Sequence, residues 1–229
     1  MIRLRMVRVR VWKVLLDVPL VRQMENSGDC GIMALEMLLE YYGVGVPIEV
    51  FRRELGPGVG GYCMGQLGSY LLGQGFAVET VSLHPSLFTN GDKGKTPAEV
   101  LDHLRHYRDR GRIADTRELR HLITYLEDGG GFHVKIPDAE DIRTEIVAGR
   151  PLLTVLSANW LRGTEPENYM HFNTITGIDD SHIYVNDPLW DERGGRQAYP
   201  IADYLYAIYA GTMSNGDADN GCLVKARRV

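Results

Sequence analysis

The run Gln23-Met24-Glu25-Asn26-Ser27-Gly28-Asp29-Cys30-Gly31-Ile32-Met33-Ala34-Leu35-Glu36-Met37-Leu38-Leu39-Glu40-Tyr41-Tyr42-Gly43 joins a polar approach to a helical pattern, with a cysteine at the junction. Ile32, Leu35, Met37, Leu38, Leu39, Tyr41 and Tyr42 make a broad apolar face, Asp29 stands where an N-cap belongs, and Gly43 is a stop signal. A cysteine in the first helical turn sees unpaired backbone N–H groups and the positive end of the helix dipole, and both favour the nucleophilic thiolate. Gly31 leaves room for a carbonyl beside the sulfur, and the Cys30 N–H is free to face an oxyanion. Taken alone, a free cysteine is more often a small buried hydrophobe, so its partners decide the matter.

Those partners lie far downstream. Met170-His171-Phe172-Asn173-Thr174-Ile175-Thr176-Gly177 reads as a strand carrying a histidine, and Tyr184-Val185-Asn186-Asp187-Pro188 ends the next strand on a carboxylate. Singly, His171 is an ordinary strand histidine, Asp187-Pro188 a turn signal and Gln23 a surface glutamine. In combination and in chain order, a nucleophile, a base and an orienting acid suggest papain-like thiol chemistry.

With those residues assembled, the chain resembles the C39-type cysteine peptidases. The resemblance rests on Gln23, on Asp29-Cys30-Gly31 with Leu38-Leu39-Glu40-Tyr41-Tyr42-Gly43, and on His171-Phe172. Its more specific part is Gly177-Ile178-Asp179-Asp180-Ser181-His182-Ile183-Tyr184-Val185-Asn186-Asp187-Pro188. It implies a papain-like domain that removes leader peptides from bacteriocin-like precursors. Carried over by position, Cys30 is the nucleophile, His171 the general base and acid, Asp187 the group that orients the imidazole, and Gln23 the side-chain donor to the oxyanion. Met170 departs from the family's usual glycine before the histidine, and the stretch between Leu83 and Pro137 has no recognised counterpart.

The 229 residues suffice for one sizeable domain, and 44% hydrophobic with 24% charged residues is an ordinary globular balance. A net charge of −5 and no basic stripe give no footprint for nucleic acid. Met1–Lys13 alternates apolar residues with arginines, slipping phase at Val7, and reads as a half-solvated strand with a bulge. No apolar run is long enough to span a bilayer, and no cleavage site follows Val14-Leu15-Leu16. Three scattered cysteines, Cys30, Cys63 and Cys222, are no disulfide framework, so a cytoplasmic location is expected.

Helices are expected over Pro47–Leu55 and Met64–Leu72, a flexible loop at Gly56–Gly61, and a strand over Phe76–Val81. Residues 84–137 read as a polar helical insertion, one helix starting at the Thr96-Pro97-Ala98-Glu99 capping box and another at Thr116. A helix capped by Asp138 follows, then strands at Leu152–Ser157, Phe172–Ile178, His182–Asn186 and Gln197–Pro200, with Ile201–Ala210 a helix or a strand. The fold class is therefore α+β: one papain-like domain over residues 1–229, with a helical first half, an antiparallel β second half and the 84–137 helical hairpin inserted.

Weaker signals are set aside. Cys63 reads as packing rather than a second thiol. His103, His106 and His121 suit a solvated helix face among arginines better than a metal site. Gly91-Asp92-Lys93-Gly94-Lys95-Thr96 has the wrong spacing for a phosphate loop. No cofactor or metal is expected. Tyr107, Arg108, Arg117, Arg120 and Tyr125 of the hairpin either line a cleft or decorate the surface. Three functions stay open: a peptidase-like amide hydrolase acting on a leader or small peptide, an acyl or peptidyl transferase using the same triad, and a non-catalytic peptide-binding domain. No transporter follows in the chain, so coupling to export needs a separate transporter or biosynthetic partner.

Overall fold

The computed structural model describes residues 12–56, 61–164, 169–213 and 221–229. In chain order these form β1 (Lys13–Leu15), α1 (Cys30–Tyr41), α2 (Ile48–Glu54), α3 (Met64–Gly73), β2 (Phe76–Ser82), α4 (Pro97–Asp109), α5 (Arg117–Glu127) and β3 (Gly131–Val134). There follow α6 (Ala139–Val147), β4 (Leu152–Ser157), α7 (Ala158–Arg162), β5 (Met170–Asp179), β6 (His182–Asp187), β7 (Gly195–Pro200), α8 (Ile201–Gly211) and β8 (Cys222–Arg228). The α+β class is the expected one. Most of the alternating N-terminal stretch, and residues 57–60 of the glycine-rich run, fall outside the described residues.

The strands form one sheet in the order β3-β2-β8-β4-β5-β6-β7, with β1 added along β5. All pairs are antiparallel except β2 with β3. The β-rich stretch after residue 151 therefore does not make the sheet alone: β1, β2 and β3 come from before it. Residues 84–137 carry the expected pair of helices, Thr96 capping α4 and Thr116 capping α5. The stretch also carries strand β3 near its end, after Gly129-Gly130, so it is not wholly helical.

Alternation along the strands sends side chains into two cores. Leu153, Val155, Phe172 and Val224 meet α1, α3 and α5 on one face. Leu152, Leu156, Ile175 and Leu223 meet α6 and α8 on the other. Within β5 the pairing with β6 shifts between Ile175 and Gly177, which lets Ile175 and Ile178, three apart, face the same core. Gly177 also admits β1, since a Cβ there would lie 2.6 Å from the Val14 carbonyl oxygen.

The 84–137 stretch is tied into the first core. Leu119, Leu122 and Tyr125 of α5 are wholly buried, and the Tyr125 hydroxyl donates to the carbonyls of Val78 or Gly131 at 3.0 and 2.8 Å. Tyr125 thus lines no cleft. On α3, a Cβ at Gly65 would sit 2.4 Å from the His121 carbonyl carbon. Gly65→Ala should force α3 and α5 apart and cost about 1–3 kcal/mol, lowering the urea midpoint at constant slope. Gly73→Ala, with nothing within 4 Å of its added Cβ, should be neutral or mildly stabilising.

Candidate active site

The β5–β6 register sets Thr174 against Asn186, so His171 and Asp187 sit at one end of the strand pair, on the face opposite Thr174 and Asn186. Thr174 Oγ1 donates to the Ala34 carbonyl of α1, and the Asn186 amide donates to the carbonyls of Val18 and Pro19. On the other face, His171 Nε2 lies 2.7 Å from Asp187 Oδ1. A carboxylate only accepts, so Nε2 carries the proton. The ring is fully buried and the carboxylate side chain 3% exposed. The Leu189 N–H also donates to Oδ1, at 2.9 Å, in the turn that Pro188 helps to set, and Arg162 Nη2 donates to Oδ2 at 3.0 Å.

Cys30 opens α1 and keeps partial exposure. Its sulfur accepts from the Phe172 backbone N–H and is coupled to the His171 ring by charge and by hydrogen bonding. With Nε2 on Asp187, the remaining ring nitrogen, Nδ1, is buried without a geometrically complete hydrogen bond, and it is the nitrogen left to the sulfur. Burial alone would raise the thiol pKa, but the His171 charge, then its hydrogen bond and that of Phe172, bring it below the ordinary 9.0. For His171, burial would lower the pKa. The charge on Cys30 and the bond to Asp187 overcome this and carry it to about 9. Burial raises the Asp187 carboxyl, and the His171 bond and charge, followed by Arg162, bring it below its usual value. The three groups together favour thiolate beside imidazolium.

Asp29 occupies the N-cap position, but its side chain does not cap. Its backbone (φ −88°, ψ 7°) is not the extended form that turns a cap side chain back onto the first turn. Arg52 of α2 instead donates to its Oδ2 at 2.6 Å. A carboxylate that would compete with the thiolate for the helix N-terminus is thereby drawn away from it. Gly31 is needed for packing, since a Cβ there would stand 3.1 Å from Tyr62 Cβ and 3.3 Å from the Phe172 ring.

Gln23 is buried, and its Nε2 donates to the Ser27 carbonyl at 2.8 Å while Oε1 has no partner. It makes no hydrogen bond to Cys30, His171 or Asp187 among the described residues, though one amide hydrogen is left over. It does line a cleft of about 540 Å³ with Ser27, Arg162, Tyr169, Trp190 and Arg193. The Tyr169 ring stacks on His171 with centroids 6.0 Å apart. None of Tyr107, Arg108, Arg117 or Arg120 lines this cleft. Cys63 is buried at the start of α3 in a reciprocal cap with Gln66.

Reading the sequence missed three residues here. Arg22 Nη1 donates to the carbonyls of Leu189, Trp190 and Asp191 at 3.0, 3.3 and 2.7 Å, and the Gln23 N–H donates to the Pro188 carbonyl at 2.7 Å. The segment before Cys30 and the loop after Asp187 are thus clamped together. Tyr169 and Arg162 gave no signal beyond an aromatic and a basic residue in a polar stretch.

A family model described as the Peptidase_C39 like family matches residues 15–215. The chain belongs to this family. No curated protein matches it. Among solved structures, it is similar to a double glycine motif protease from an AMS/PCAT transporter in complex with the leader peptide, at 16% identity and a TM-score of 0.48, covering 94% of this chain and 95% of that one. It is also similar to the peptidase domain of Streptococcus ComA, a bi-functional ABC transporter involved in a quorum sensing pathway, at 11% identity and a TM-score of 0.45 over 92% and 98% of the two chains. A C39-like peptidase from Bacillus anthracis aligns at 13% identity with a TM-score of 0.45 over 95% and 98%. No helix among the described residues is long and apolar enough to cross a membrane.

Alkylation of Cys30 by iodoacetamide, followed across pH by mass spectrometry, should show a midpoint below 9.0. In His171→Ala the opposing charge and its hydrogen bond are gone, leaving only the Phe172 N–H against burial and the Asp187 charge, so the midpoint should rise. A C39-like chain with an inert thiol would show one unshifted midpoint in both proteins.

Proposed function

We propose that this protein is a thiol-dependent hydrolase of amide bonds, acting through Cys30, His171, Asp187 and Gln23 on a leader or small peptide. The observation that carries the reading is the buried hydrogen bond from His171 Nε2 to Asp187, which leaves Nδ1 to the sulfur of Cys30. Membership of the Peptidase_C39 like family supports the peptide as substrate class. Three cysteines without a disulfide favour a cytoplasmic setting. Residues 84–137 are taken as part of the same single domain, since α5 shares the core of α1 and α3.

The Cys30 thiolate attacks the carbonyl carbon and the carbonyl π electrons pass to oxygen. The Cys30 N–H, uncapped at the helix start, and the spare amide hydrogen of Gln23 receive that oxyanion. As the tetrahedral adduct collapses, the C–N bond breaks and His171 gives its Nδ1 proton to the departing nitrogen, leaving a thioester. Water then gives a proton to His171 and attacks the thioester carbon. The C–S bond breaks, releasing the acid and restoring thiolate beside imidazolium. Asp187 holds the ring throughout, and Tyr169 covers one face of it.

The active ionisation state requires thiolate and imidazolium together. Activity should rise with pH as the thiol ionises, below its ordinary 9.0, and fall as His171 loses its proton at about 9. A candidate-peptide library read by mass spectrometry should yield cleaved products and a transient thioester on Cys30. Cys30→Ala should abolish both, and Gln23→Ala should lower kcat by roughly 10²–10³-fold. Undiminished cleavage by Cys30→Ala would overturn the scheme. Conjugates that form only when an amine acceptor is added would replace hydrolysis with acyl transfer.

A further inference from the structure

Arg162 is a guanidinium in an unusual place. It sits at the end of the five-residue helix α7, its side chain is 5% exposed, and among the described residues it pairs with Asp187 Oδ2 at 3.0 Å. Its Nε is buried without a hydrogen-bond partner, one of six such side-chain atoms among the described residues, and Gln23 Oε1, Ser27 Oγ and His171 Nδ1 of the same region are three others. A buried arginine with an unsatisfied N–H is a costly way to gain stability, since apolar side chains of similar volume often do as well or better.

The charges at the site explain it. Thiolate and imidazolium sum to zero, and adding ionised Asp187 leaves one net negative charge in a dry environment. That charge acts against the thiolate: Asp187 opposes the ionisation of Cys30 that His171 promotes. Arg162 restores the sum to zero. Among the described residues, the other ionisable groups that sense the cluster are the phenols of Tyr169, Tyr199 and Tyr204, each made harder to ionise by burial and hence neutral, and the carboxylate of Asp191, which Arg162 also favours. The nearby Arg193 is already paired with Asp191.

We infer that Arg162 is a positioning residue, whose guanidinium holds the second oxygen of Asp187 and balances its charge, so that Asp187 orients His171 without setting a net negative charge beside the Cys30 sulfur. The inference rests on the proposed thiolate–imidazolium pair and adds a fourth, compensating member to it. It also accounts for the use of arginine rather than lysine. A planar fork anchored by packing presents Nη2 in one fixed direction, whereas an ammonium on a flexible stem does not.

The test needs no substrate. In Arg162→Gln, the uncompensated carboxylate should raise the iodoacetamide midpoint of Cys30 by about one pH unit. Arg162→Lys, which keeps the charge but not the fixed fork, should give a smaller rise than Arg162→Gln. In an Asp187→Asn background, the part of the shift that acts through holding the Asp187 carboxylate is lost. Only the direct effect of the guanidinium charge on the sulfur remains, so Arg162→Gln should move the midpoint by clearly less. If Arg162→Gln fails to fold, the Asp187→Asn/Arg162→Gln pair, neutral and of similar size, should recover folding. An unshifted midpoint in Arg162→Gln, an equal shift in both backgrounds, or a double variant no more stable than Arg162→Gln would overturn the role of Arg162. An ordinary thiol midpoint in the unmodified protein would remove the thiolate pair itself, and this inference with it.

Discussion

The 2.7 Å hydrogen bond between His171 Nε2 and Asp187 Oδ1 is the constraint around which the rest is arranged. A fully buried imidazole and a nearly buried carboxylate persist only when paired, because burial of either charge alone costs several kcal/mol. The bond demands that the β5–β6 register hold within one residue, since a slip would put one partner on the other face. Both faces of the strand pair defend that register. Thr174 and Asn186 are tied to α1 and to the 18–19 segment, and Asn173 accepts from the Tyr204 hydroxyl of α8 at 2.6 Å. The shift between Ile175 and Gly177 then re-aims the remainder of β5 so that β1 can close beside it.

The sulfur is delivered by a different device. The N-terminus of α1 reaches β5 where the Phe172 N–H can meet it, and Gly31 permits that approach. The withdrawal of Asp29 to Arg52 leaves the helix start open, at the expense of an ordinary cap. The segment preceding α1 and the loop following β6 are held together by Arg22 and the Gln23 N–H, so the approach to Cys30 and the turn after Asp187 share one clamp. That clamp also sets Gln23 in the wall of the cleft, with an amide hydrogen still unused.

Much of this was legible in the sequence because each element announced itself locally. The apolar face of α1, the capping box of α4, the Asp138 cap and the alternating strands β4 to β6 all carry their own signal. The residues that were not legible owe their place to tertiary contacts. Strand β3 hides behind a glycine run, and β8 carries Lys225, Arg227 and Arg228 on a strand whose other residues are buried. Asp29 looks like a cap until Arg52 arrives from α2. Arg162 and Arg22 act on partners more than twenty residues away, at Asp187 and at Leu189–Asp191, so no local pattern could reveal them. Gln23 was named from the family pattern, and its geometry turns on a bond to Ser27 that no spacing discloses.

The central claim is that a thiolate and an imidazolium coexist on Cys30 and His171 at neutral pH. Nitrogen NMR of isotope-labelled histidine reads the protonation of both ring nitrogens of His171 directly. The account predicts an imidazolium with two N–H groups at pH 7, persisting to about pH 9, and reverting toward neutral imidazole at pH 7 when Cys30 is replaced by alanine. A neutral ring at pH 7 in the unmodified protein, or an imidazolium indifferent to the loss of the sulfur, would contradict it.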